Sequence, residues 1–200
     1  MDHSKKMNID INYINDILEE NSNLSLDLKN KAEMIESFSA YCFNSLKKGK
    51  KILICGNGGS ASDSNHFAAE LVGRFEIENR ESLPAISLCS NQSTITAIAN
   101  DFGFNKVFSK QIEAIGNKDD VLIAISTSGK SKNVLEAIDI ANLKNIKVII
   151  LTGKDGGKYL RNKKCEILEI NSRKTARIQE MHILILHIIC FYIDNKIAND

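Results

Sequence analysis

One proline in 200 residues, Pro84, and no stretch rich in serine and glycine leave no place for an interdomain linker, and no internal repeat is present. Neither sign of charge dominates. With 26 basic against 25 acidic side chains the net charge is +1, which excludes nucleic-acid binding through a bulk basic surface. The five cysteines, Cys42, Cys55, Cys89, Cys165 and Cys190, contain no C-x-x-C pair. Four of them sit inside apolar runs, so they read as buried thiols kept reduced. The first twenty residues mix charged and amide side chains without an apolar core, so no secretory signal is expected and the chain reads as cytoplasmic. No apolar run reaches the roughly 20 residues a membrane-crossing helix takes. The suspicious one, MHILILHIICFYI at 181–193, has 13 and reads as a helix buried all round, in a core or between subunits, which points to an oligomer and not to a membrane.

What is present fits one globular domain. A chain 43% hydrophobic and 200 residues long buries roughly 70% of its unfolded surface without disulfides or a structural metal. Apolar residues at helical spacing predict helices over 9–20 and over 26–48, the second carrying Leu26, Leu28, Ala32, Ile35, Phe38, Tyr41, Cys42 and Leu46. From Lys51 the pattern changes to short continuous apolar runs: KILIC at 51–55, AISLC at 85–89, VLIAIS at 121–126, KVIILT at 147–152 and CEILEI at 165–170. Runs without alternation predict strands covered on both faces, as in the parallel sheet of βαβ units. The expected architecture is therefore a three-layer α/β/α sandwich with a five-stranded parallel sheet. It comprises an N-terminal helical element at 1–48 and an α/β core with a long C-terminal helix at 51–195.

Two strand ends carry glycine and hydroxyl side chains, on the edge of the sheet where such folds collect ligands. The first is Cys55-Gly56-Asn57-Gly58-Gly59-Ser60, running into a helix expected over 60–73. It matches a loose dinucleotide fingerprint, Gly56-x-Gly58-x-x-Ala61 with Glu76 downstream, but that helix leaves no room for a second strand before Glu76; a plain strand-to-helix turn is the other reading. The second is Ser126-Thr127-Ser128-Gly129-Lys130-Ser131, whose four hydroxyls suit the oxygens of a phosphate monoester, with Ser131 placed to cap the next helix. Ala124-x4-Gly129-Lys130-Ser131 is a P-loop only if alanine opens it inside the strand, and no strand ends in the aspartate that would hold magnesium.

His66 and Glu70 stand at i and i+4, one turn apart on the helix that leaves the first loop. Gln179 and His187 stand eight positions apart on the apolar C-terminal helix, roughly 12 Å along its axis, so one metal reaches both only if the side chains lean together. His182, in the same helix, reads as a core histidine bonded to a carbonyl.

The segments CGNGGSASDSNHFAAELVGRF (55–75), ANDFGFN (99–105), ISTSGKSKNV (125–134), LTGKDGG (151–157) and ARIQEMHILILH (176–187) resemble the phosphoheptose isomerases. These are sugar-isomerase (SIS) domain enzymes of flavodoxin-like topology that interconvert sedoheptulose 7-phosphate and D-glycero-D-manno-heptose 7-phosphate. The resemblance spans nearly the whole chain. It implies a cytoplasmic homotetramer with sites built at subunit contacts, one Zn2+ per subunit, and a product that feeds lipopolysaccharide or capsule heptose. It implies zinc ligands His66, Glu70, Gln179 and His187. It implies substrate contacts at Asn57, Gly58, Gly59, Glu70, Asn100, Asp101, Ser126, Thr127, Ser128, Ser131 and Gln179. Two positions depart from the family: Lys130, which adds a charge beside the serine loop, and Ala176, where some relatives have an acidic residue.

Moving a carbonyl from C2 to C1 takes a base for a carbon-bound proton, an acid for the oxygens and stabilisation of an enediolate. Glu70 is the expected base and His187 its partner, with zinc polarising the carbonyl. The competing expectation is a non-catalytic SIS module that senses a phosphosugar or acts as a protein adaptor. It would keep both loops but has no need of the His66, Glu70, Gln179 and His187 set.

Overall fold

The computed structural model describes residues 11–199, so residues 9 and 10 of the expected first helix, and positions 1–10 of the expected signal-free N-terminus, lie outside the described residues. All five expected strands form: β1 (Ile52–Cys55), β2 (Ala85–Ser87), β3 (Val121–Ser126), β4 (Lys147–Gly153) and β5 (Glu166–Ile170). They pair in parallel in the order β2-β1-β3-β4-β5, with Cys55 opposite Ala124 and Ser126 opposite Thr152. β3 is buried at every position, which is why its sequence shows no alternation.

The two faces of the sheet nucleate two cores. Ile52, Ile54, Ile123, Ile125, Ile149 and Leu151 point to one side, against helices α2 (Ala32–Lys47), α3 (Gly59–Val72) and α7 (Thr175–Ala198). Leu53, Cys55, Leu122, Ala124, Val148 and Ile150 point to the other, against α5 (Ser109–Ile115) and α6 (Lys132–Leu143), with α4 (Gln92–Phe102) packed at the margin. This is the expected three-layer sandwich. Of the five thiols, Cys42, Cys55 and Cys190 are buried and Cys89 and Cys165 are half-buried; all five are free.

Three expectations are corrected. The 26–48 helix is not continuous: α1 (Ile11–Asp27) ends in a 3-10 turn over Leu28–Lys31, pinned by the Lys31–Asp27 ion pair at 2.7 Å, before α2 begins. The turn re-aims the chain, so that α1 meets the start of α7 through Lys174–Glu20 and Asn21–Glu180, both at 2.7 Å, while α2 packs along α7. Leu26, Ala32 and Tyr41 consequently face outward, and Leu28, Ile35, Phe38, Cys42 and Leu46 are buried. Helix α7 has 24 residues, about 36 Å, so by length and composition it is long enough to cross a bilayer, which the shorter apolar run did not indicate. Nor is it buried all round. Ile178, Met181, Ile185, Ile189 and Ile193 are buried, whereas Leu184, Ile188 and Phe191 are exposed.

Candidate active site

The order of strands reverses between β1 and β3, and the loops after these two neighbours flank the crevice that such a reversal opens. They are locked together side chain to side chain. Asn57 donates to the Asn133 amide oxygen at 3.0 Å and accepts from its nitrogen at 2.8 Å. Asn133 is buried behind the loops, and its oxygen also accepts from the backbone of Val134. Between the loops lies a cavity of about 340 Å3, walled by Gly58, Gly59, Ser126, Thr127, Ser131 and Gln179 among others. Ser126 donates to the Ser131 hydroxyl at 3.0 Å, so Ser131 stands at the start of α6 but does not cap it with its side chain. A Cβ at Gly59 would sit 2.5 Å from the Gln179 amide nitrogen and push that side-chain end aside. A glycine at the first position of α3 thus lets the Gln179 side chain close one wall.

Helices α3 and α7 run side by side in the same direction. Gly59 faces Gln179 at the loop end, and about two turns on His66 meets His187. The two imidazole Nε2 atoms are 2.9 Å apart, and the Glu70 carboxylate oxygen Oε1 is 3.4 Å from His66 Nε2. The rings meet edge to face at 5.1 Å between centroids, and Phe75 packs on His187 at 5.7 Å. Partial burial, together with the neighbouring His66, holds the His187 imidazolium form down, with the Glu70 carboxylate pulling the other way. His187 is therefore biased to its neutral form, the form that accepts a proton or ligates a metal.

Below this pair lies a buried ion pair with no counterpart among the expected residues. Arg80 Nε is 2.7 Å from Asp194 Oδ1, both side chains being essentially inaccessible. Asp194 also accepts from the backbone N–H groups of Glu76 and Ile77 at 3.0 and 3.2 Å. Arg80 donates to the carbonyls of Glu70 at 2.7 Å, Leu71 at 3.0 Å and Glu81 at 2.6 Å. The end of α3 that carries Glu70 is thereby fastened to α7 one heptad beyond His187.

Comparison with known proteins agrees with this geometry. The family model described as SIS domain matches residues 12–153. The chain is 47% identical over 187 residues, 93% of its length and 97% of the relative's, to a phosphoheptose isomerase of Aliarcobacter butzleri. It is 58% identical over 152 residues, 76% of its length and 80% of the relative's, to a phosphoheptose isomerase of Campylobacter jejuni. A solved phosphoheptose isomerase structure from Neisseria gonorrhoeae superposes with a TM-score of 0.85 at 41% identity, covering 92% of this chain and 98% of that one. The chain belongs to the phosphoheptose isomerase family of SIS-domain proteins.

In this member of the phosphoheptose isomerase family, the residues expected at the site fall into three groups. Asn57, Gly58, Gly59, Ser126, Thr127, Ser131 and Gln179 line the loop cavity. Ser128 lies at the outer lip, exposed, its hydroxyl accepting from the Lys130 backbone at 3.2 Å. His66, Glu70 and His187 form the second group, two helical turns away. Asn100 and Asp101 form the third: they are exposed near the end of α4, bonded to each other at 2.8 Å, and do not line the cavity. Asn57 is in the cavity wall, but its amide is engaged with Asn133. His182 is fully buried, and neither ring nitrogen has a hydrogen bond of ordinary geometry, the Thr152 backbone being a weak partner; burial pushes its pKa down to about 4. The P-loop reading fails as expected, since Ala124 is the fourth residue of β3, and the dinucleotide reading fails because no strand lies between the end of α3 at Val72 and β2 at Ala85.

The donor chemistry fits zinc in this family member. Two imidazoles and a carboxylate are a set that catalytic zinc accepts with a position left open. Two Nε2 atoms at 2.9 Å are a repulsive contact unless one carries a proton or both face a cation. Gln179 lies at Gly59 instead, and among the described residues no three His, Cys, Asp or Glu side chains close a cage within the single chain.

Proposed function

We propose that this chain is an aldose–ketose isomerase that interconverts sedoheptulose 7-phosphate and D-glycero-D-manno-heptose 7-phosphate. The observation that carries the reading is the pairing, on one pair of helices, of a hydroxyl-lined cavity with a His66, Glu70 and His187 cluster two turns along. A phosphate seated at the serine loop leaves the reactive end of an extended sugar free to lie along the α3–α7 seam. The loop then contributes binding energy remote from the reacting carbons.

Glu70 takes the proton from C1 of the ketose and returns one to C2, and neutral His187 carries the proton that passes between the two oxygens. His66 and His187, with Glu70, are the residues that would hold zinc; Gln179, about two turns away at Gly59, does not complete that set within one chain. When bound, zinc would polarise the carbonyl and favour the enediolate. Gln179 orients the substrate hydroxyls where it meets Gly59.

The same reading takes residues 1–200 as one SIS unit acting as a homotetramer in the cytoplasm, its product serving lipopolysaccharide or capsule heptose. Self-association is supported by the exposed apolar residues Leu184, Ile188 and Phe191 on α7 and Ile14 and Leu18 on α1. The test is direct: purified chain, assayed for zinc, is mixed with sedoheptulose 7-phosphate, and formation of the aldose is followed before and after chelation. Conversion that chelation removes and zinc restores supports the proposal, and no conversion by zinc-replete protein overturns it.

A further inference from the structure

A second cavity, of about 280 Å3, opens on the far side of the serine loop and shares Thr127 and Thr175 with the first. Its charge is one-sided: Lys130, Lys154, Lys158 and Arg173 line it against a single carboxylate, Asp155. Asp155 is already taken, since Arg173 donates to its Oδ2 at 3.0 and 2.5 Å. The lysines have no such partner among the described residues. Lys130 and Lys158 instead hold their ammonium groups over one ring, that of Tyr159, at 5.0 and 5.3 Å from its centroid. Hydrogen bonding from Lys130, and the charge of both lysines, draw the Tyr159 hydroxyl below the ordinary phenol range. In a chain of net charge +1, three ammonium groups and a guanidinium set against one carboxylate make this concavity a local excess of positive charge.

The cavity is also built rather than floppy. Thr152 donates to the Ser126 carbonyl at 2.7 Å and the Gly153 N–H to the Thr127 carbonyl at 3.0 Å, so the loop bearing Lys154 and Lys158 is fixed to the serine loop. Gly129, at φ +67°, packs against Gly156 so closely that a Cβ would strike the Gly156 carbonyl. The lysine stems thus spring from two loops held backbone to backbone, and only their ends need to move to meet a ligand.

We propose that this basic cavity is a second anion site, distinct from the phosphate-holding cavity, and that it takes a ligand bearing two linked phosphoryl groups. A monophosphate fills the hydroxyl-lined cavity, where neutral donors suffice. Three ammonium groups around an open concavity match the higher charge of a diphosphate, and Ser128 at its lip supplies a neutral donor. Occupancy of the site sets a second ligand against the outer side of the loop whose inner side holds the sugar phosphate.

The test uses the intact chain, inorganic pyrophosphate and inorganic phosphate as probes, and titration calorimetry, so that it does not depend on isomerase activity. In the Lys154→Met/Lys158→Met variant, whose changes are at exposed positions, pyrophosphate binding should weaken about tenfold while phosphate binding changes by less than about twofold. Pyrophosphate binding equally tightly to parent and variant would overturn the proposal. So would an equal loss for both probes, which would mark a general field effect. Failure of pyrophosphate to bind the parent at all would overturn it too.

Discussion

The Arg80–Asp194 pair makes a demanding prediction. Asp194→Asn keeps the shape of the side chain and an oxygen for the Glu76 and Ile77 N–H groups, but leaves the Arg80 guanidinium as an uncompensated charge in a site from which water is excluded. Breaking a buried pair by removing one partner costs about 3–5 kcal/mol. For a domain of this size that is a fall in Tm of roughly 6–20 °C. Arg80→Lys separates stability from positioning. It keeps the charge beside Asp194 but has lost the planar fork that reaches the Glu70, Leu71 and Glu81 carbonyls together. It should lose less stability than Asp194→Asn, yet kcat should fall at temperatures where the protein remains folded, because the helix end carrying Glu70 has lost its anchor. Calorimetric melting and steady-state turnover read the two effects. A Tm for Asp194→Asn within about 2 °C of the parent would refute the reasoning about burial. Unchanged kcat in Arg80→Lys would refute the positioning.

Other expectations follow from the same geometry. Glu70→Gln and His187→Gln should each lower isomerase turnover at least about 100-fold while leaving the melting curve close to the parent's; near-parental rates in either would remove its assigned role. Ser128→Ala should raise KM with kcat nearly unchanged, since a phosphate contact binds ground and transition states alike; a pure loss of kcat would contradict it. His182 has its pKa pushed from 6.5 down to about 4 by burial, so the unfolded chain takes up a proton that the folded one refuses. Stability should therefore fall as pH drops from about 6.5 to about 4, by roughly 3 kcal/mol at the acid end, and His182→Leu should flatten that slope in urea titrations. Parallel slopes for parent and variant would place the acid sensitivity elsewhere.

The sheet was legible because each strand is a continuous apolar run: parallel strands covered on both faces leave no polar alternation to misread, and Val121–Ser126 forms over its full expected length. The two ligand loops were legible for a related reason, since glycine and serine concentrated at a strand end have few other uses. What stayed hidden depends on contacts distant in sequence. Nothing local to Arg80 announces that Asp194, 114 positions on, neutralises it; the only hint is a carboxylate one heptad after His187 in an apolar helix. Asn133 was equally silent, although it sets the Asn57 amide. The 3-10 turn at Leu28–Lys31 preserves helical spacing on both sides and so leaves no break in the apolar pattern. The basic cavity draws its lysines from two loops distant in sequence, of which Lys130 alone stood out, and the Gly153–Thr127 backbone bond together with the packing of Gly129 on Gly156 brings them together.

Proton transfer at carbon is the chemistry on which this reading of the site stands. Incubating the protein with sedoheptulose 7-phosphate in deuterated water and locating the label in the product tests it most directly. A carboxylate that removes a proton from C1 and delivers one to C2 gives an aldose carrying deuterium at C2, and an aldose formed with no solvent label, or no aldose at all, would contradict the account.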